Sequence, residues 1–122
     1  MYDPCETFAD YADLAVRTRR NVHPDHPNWN DSPLQLATMV LGLVAEAGEV
    51  GDLVKKHLGH SQELNMDEVK AELGDVLWYV TNVAELLGLD LQGVAEANIK
   101  KLGARHPEGI FSPEYHAKGA QG

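Results

Sequence analysis

Residues 32–60, SPLQLATMVLGLVAEAGEVGDLVKKHLGH, place apolar side chains at Met39, Val40, Leu43, Ala47, Val50 and Val54. That spacing is the signature of a helix with one apolar face. Ser32-Pro33-Leu34-Gln35 opens the run as a capping box with proline at N1, and the helix is expected to end near Gly59. At the margin of its stripe lies Glu46-x-x-Glu49. A second run follows, in which Asn65 with Glu68 three residues on starts a helix through Val69, Leu73, Val76, Val80, Val83 and Leu87. Gly88 stops it, and inside it lies Glu72-x-x-Asp75. Acids three apart on a helix share a face. About 22 residues (50–71) separate the pairs, enough for one helix to end, turn and send the next back alongside. Four carboxylates would then converge between antiparallel helices. Such groups repel, and partial burial makes them costly unless a cation neutralises them. Hard divalent ions such as Mg²⁺ take oxygen ligands of this kind and keep positions open for phosphate and water.

Two further helices flank this pair. Asp3-Pro4-Cys5-Glu6 reads as a start signal for a helix carrying Phe8, Tyr11, Ala12 and Ala15 and ending near Arg19. Residues 21–32 are rich in Asn, Asp, His and Pro and read as a loop. Asp90 caps a last helix with Leu91, Val94, Ala95, Ile99 and Leu102, ending before Pro107. No alternating strand pattern, repeat or low-complexity segment appears. The expectation is an all-α four-helix bundle over residues 1–111, with 112–122 as a loose tail. One chain would leave much of each stripe uncovered, so dimerisation is expected to complete it.

Composition narrows the function. A chain of 122 residues suits a single domain. Its net charge of −9 disfavours a general nucleic-acid binder, which needs basic surface. The lone cysteine, Cys5, excludes an internal disulfide framework and a multi-cysteine zinc site. The N-terminus lacks a basic n-region and an apolar h-region, and no apolar run reaches membrane-spanning length. A cytoplasmic protein is expected.

The last helix adds cations. Asn98, Lys101 and Arg105 share a face at i, i+3 and i+7. Asn98 sits within the apolar stripe, where an amide must find partners. Lys101 and Arg105 suit a phosphate-binding edge facing the acids, since both neutralise charge that builds during phosphoryl transfer. Lys55, beside Lys56, follows the first acid pair and could reach phosphate. Trp29, like Tyr11, Trp78 or Tyr79, could lie over a base, although packing between helices is the simpler role for each. His23 and His26 read as exposed loop residues, and His57 and His60 as caps of a helix end.

LGLVAEAGEVGDLVKKHLGH, AELGDVLWYV and VAEANIKKLGARHPEG, in that order, resemble the MazG-like all-α nucleoside triphosphate pyrophosphohydrolases over roughly residues 5 to 112. The ordered set of E-x-x-E, E-x-x-D and N-x-x-K-x-x-x-R is the specific part, since either acid pair alone is common. The resemblance implies that Glu46, Glu49, Glu72 and Asp75 hold Mg²⁺, with Mn²⁺ as a substitute. It implies that Asn98, Lys101 and Arg105 contact substrate phosphates or sugar. The implied reaction splits the α–β phosphoanhydride of a (deoxy)nucleoside triphosphate to monophosphate and pyrophosphate, in a homodimer or homotetramer that cleanses the nucleotide pool. Phosphoribosyl-ATP pyrophosphohydrolase and a non-catalytic helical binding module are the alternatives. One departure bears on mechanism. Some relatives carry a second Glu where this chain has Ala45, so the proton of the attacking water would pass to Glu46 or Glu49.

Overall fold

The computed structural model describes residues 4–30 and 32–114. Four helices follow in order: α1 (Phe8–Val16), α2 (Pro33–His60), α3 (Met66–Leu86) and α4 (Leu91–Arg105). No strand occurs among the described residues. The all-α expectation therefore holds. The chain divides into two compact units, residues 1–91 and 92–122.

Local chemistry explains where the helices begin and end. α1 starts later than expected, because Thr7 is its cap. Thr7 Oγ1 accepts from the Asp10 amide at 3.0 Å, while Asp10 Oδ2 accepts from the Thr7 and Glu6 amides, both at 3.0 Å. These bonds hold the Asp10 carboxyl below its usual range. Thr7-x-x-Asp10 is a reciprocal box that uses Asp in place of Glu or Gln. Asp3 lies outside the described residues. Ser32 caps α2 as expected, its hydroxyl accepting from the Gln35 amide at 3.2 Å. The Gln35 side chain does not complete the box. It turns inward and donates to the Arg20 carbonyl at 3.1 Å. α2 ends at Ser61, whose φ of 55° places it in the left-handed region. His57 Nδ1 donates to the Gln62 carbonyl at 2.8 Å and secures this end. Asn65 Oδ1 accepts from the Asp67 and Glu68 amides to start α3. Gly88, at φ 77°, terminates the α3 segment in a conformation costly for any other residue.

Within the first unit, α2 and α3 form an antiparallel hairpin and α1 packs on α3. The core is thin. Among the described residues, the buried apolar side chains are Ala15, Trp29, Met39, Ala84 and Leu91, while the largest wholly buried ones are polar: Gln35, Asn82 and Thr81. Asn82 Oδ1 accepts from an Arg19 Nη at 2.9 Å, and its Nδ2 donates to the Trp78 carbonyl at 2.9 Å. Arg19 also pairs with Glu85 at 2.6 Å. Trp78 Nε1 donates to Thr18 Oγ1 at 2.7 Å. The segment after α1 is thus tied to α3 by polar groups as much as by apolar packing. Several expected core residues stay exposed, among them Phe8, Val40, Leu73 and Leu87.

In the second unit, the His106 and Phe111 rings lie 5.6 Å apart, tilted by 37°. The Ser112 amide donates to His106 Nδ1 at 2.7 Å, which fastens the start of the expected tail. Residues 115–122 of that tail lie outside the described residues.

Candidate metal centre

The antiparallel α2–α3 pairing brings the two acid motifs together. Glu46, Glu72 and Asp75 each offer a carboxylate oxygen within 4.8 Å of the others. Glu46 and Glu72 are half-buried at the helix–helix seam, and Asp75 is exposed. Glu49 is not part of this group. It sits one turn further along α2 and is exposed, so three of the four expected acids converge.

Electrostatics mark the cluster as crowded. The Glu72 carboxyl is held above its ordinary range, chiefly by a hydrogen bond with Glu46, then by burial and by the negative charge of Glu46, Asp75 and Glu68. α1 adds Tyr11 to the rim. Burial pushes its phenol up first, and the charge of Asp75 pushes it further. The acids therefore form a concentrated negative site.

The lysines that follow are engaged locally. Lys56 Nζ lies 2.7 Å from Asp52 and Lys55 Nζ lies 3.3 Å from it. Their hydrogen bonds, that of Lys56 first, hold the Asp52 carboxyl below its usual range. Lys56 also feels Glu49 and Glu68, and Asp52 chiefly holds its ammonium above the ordinary range. Lys56 lines a cleft of about 570 Å³ at the α2–α3 turn with Leu53, Gln62, Met66 and Glu68. Lys55 does not line it. The cleft contains none of the three clustered carboxylates.

Trp29 is only 5% exposed. Its Nε1 donates to the Arg20 carbonyl at 3.1 Å, and its ring lies 5.2 Å from that of His23. The indole is thus packed and hydrogen-bonded in the loop between α1 and α2. Asn98, Lys101 and Arg105 occur together on α4, in the second unit, with Asn98 and Lys101 exposed and Arg105 half-buried. Sequence reasoning did not single out the buried amides of Gln35 and Asn82. The signal available for them was a polar residue in register with an apolar stripe, the same one that marks Asn98.

Comparison with known proteins agrees with this arrangement. The model of the MazG nucleotide pyrophosphohydrolase domain matches residues 34–110, which include both acid motifs. Gene 37 protein of Mycobacterium phage L5 is 42% identical over 85 residues, covering 66% of this chain and 75% of that protein. No solved structure matches. No helix among the described residues is long and apolar enough to cross a membrane. With both motifs inside the matched region and Glu46, Glu72 and Asp75 brought together across α2 and α3, the chain belongs to the MazG nucleotide pyrophosphohydrolase domain family.

Proposed function

We propose that this chain is a divalent-metal-dependent pyrophosphohydrolase that splits (deoxy)nucleoside triphosphates between the α and β phosphates. The observation that carries the proposal is the convergence of Glu46, Glu72 and Asp75 within 4.8 Å inside the matched family region. The donor set fits a hard cation: all the ligands are carboxylate oxygens, and their mutual repulsion is what a divalent ion would relieve. Glu46, Glu72 and Asp75 would hold Mg²⁺, or Mn²⁺ in its place. When bound, the ion would neutralise phosphate charge and lower the pKa of water.

The residues of the chain divide the remaining work. Glu46 and Glu72 orient the site from facing helices. Glu49, exposed and outside the cluster, accepts the proton of the attacking water, since Ala45 has no group to do so. Lys55, paired like Lys56 with Asp52, is proposed as a phosphate contact on its place directly after the first acid pair. Asn98, Lys101 and Arg105 are proposed as phosphate or sugar ligands on their motif spacing alone. Trp29 shapes the loop from within. A cytoplasmic role in removing unwanted nucleotides and a homo-oligomeric state belong to the same proposal.

The test is a panel of common NTPs and dNTPs, with dUTP, dITP and phosphoribosyl-ATP, incubated with Mg²⁺ and resolved by anion exchange. Monophosphate plus pyrophosphate, abolished by EDTA, is expected. Glu72→Gln should lose both metal binding and turnover. Glu49→Gln should lose turnover by about 100-fold or more while still binding metal. Diphosphate plus orthophosphate would refute the assigned bond, and turnover of phosphoribosyl-ATP alone would reassign the substrate. Silence across the panel would make the chain a binding module.

A further inference from the structure

Gly42 lies one helical turn before Glu46 on α2, and Tyr79 lies one turn after Asp75 on α3. The two meet across the seam. A Cβ added at Gly42 would stand 2.7 Å from Tyr79 Cδ1, and closer still to Cε1 and Cζ. Carbon atoms rest at about 3.5–4.0 Å, so no side chain larger than hydrogen fits between the α2 backbone and this ring. The ring also has an aromatic neighbour. Trp78 meets it edge-on at 4.9 Å and 85°, and Trp78 is itself bonded to Thr18. Other glycines of α2, Gly48 and Gly51, have open space where a Cβ would go. Close approach is therefore specific to position 42.

We infer that Gly42 and Tyr79 act as a spacer that sets the α2–α3 separation at the acid cluster, and with it the size of cation the cluster accepts. The inference rests on the metal reading above. The logic is geometric. Glu46 is carried by one helix and Glu72 and Asp75 by the other, so their oxygen separations follow the distance between the helices. Mg²⁺ requires near-ideal geometry at about 2.0–2.1 Å, whereas Ca²⁺ accepts about 2.3–2.6 Å and irregular coordination. Widening the seam should therefore penalise Mg²⁺ more than Ca²⁺. Gly42 and Tyr79 are positioning residues in this account and need not touch the ion.

The experiment is calorimetric titration of the apo protein with Mg²⁺ and with Ca²⁺, with circular dichroism to establish folding. Gly42→Ala should weaken Mg²⁺ binding by about tenfold, the scale seen when groups supporting metal ligands are altered. Ca²⁺ binding should fall much less. Gly42→Ala combined with Tyr79→Ala should bring the Mg²⁺/Ca²⁺ ratio back toward that of Tyr79→Ala alone, because the clash is gone. If Gly42→Ala fails to fold, Tyr79→Ala alone decides: loss of the wedge should also shift the ratio. A ratio that stays at the wild-type value in every folded variant overturns the spacer and leaves the metal site standing. Wild-type protein that takes up neither ion removes the metal reading, and the spacer with it.

Discussion

At the residue scale, the site is built on carboxylates that are unfavourable to each other. The proton on Glu72 is held more tightly in the folded chain than in an unfolded one, because Glu46 shares it and burial and nearby acids disfavour the charged form. The sign of the consequence follows from linkage. A raised folded pKa contributes stability that is complete below the unfolded value and lost as pH rises through the folded one. A bound divalent ion would reverse this, since only the ionised carboxylate binds metal. Melting temperatures in EDTA and in Mg²⁺ should therefore diverge as pH rises above the ordinary glutamate range, about 4. The divergence should shrink in Glu72→Gln. Comparing wild type with Glu72→Gln also cancels Asp10 and Asp52, whose lowered pKa values act in the opposite direction. A metal-induced shift that is the same at every pH would refute the assignment. The sequence makes the four acids visible, because i,i+3 spacing on two helical runs leaves few alternatives. It does not show that Glu49 stands apart. That depends on how the two helices are rotated against each other, which periodicity constrains only to within a residue or so.

At the element scale, helices α2, α3 and α4 begin close to where capping chemistry predicts, and α1 does not. Two start signals compete there, Asp3-Pro4 and Thr7-x-x-Asp10, and the second wins by satisfying amides in both directions. The buried polar residues were less legible for a different reason. Hydropathy patterning registers apolar groups, and Gln35, Thr81 and Asn82 are covered because each finds partners within the fold. Asn82 is the most exacting of them. It is wholly buried and bonded both to Arg19 and to the Trp78 carbonyl. Asn82→Ala would deprive the Arg19 guanidinium of an acceptor and leave a small void. The expected loss is about 1–3 kcal/mol, read from urea unfolding midpoints at constant m. An unchanged midpoint would mean that water or Glu85 replaces the amide at no cost.

At the scale of the whole molecule, α2 has a second apolar face beside the one that its Met39, Leu43 and Val50 spacing predicts. The inner face packs on α3 and carries Glu46. The outer face runs through Leu34, Ala37, Leu41, Val44, Gly48, Gly51, Lys55 and Leu58 at alternating three- and four-residue steps, all exposed. Leu41 is 68% exposed, Val44 66% and Leu58 77%. An a/d seam of this kind is what helices use to pair along their length, and the two glycines would let backbones approach closely. A monomer gains nothing from keeping such side chains in water, at about 25 cal/mol per Å² of apolar surface. A second copy, joined through a two-fold axis along α2, would cover the seam with its own like face. Leu41→Glu combined with Val44→Glu should therefore turn a dimer or larger oligomer into a monomer, as read by light scattering on a sizing column. The same change should lower the melting temperature and make that of the wild type, but not the variant, depend on protein concentration. Wild-type protein that runs as a monomer at micromolar concentration would refute the seam. An oligomer that survives both glutamates would place the interface on another face.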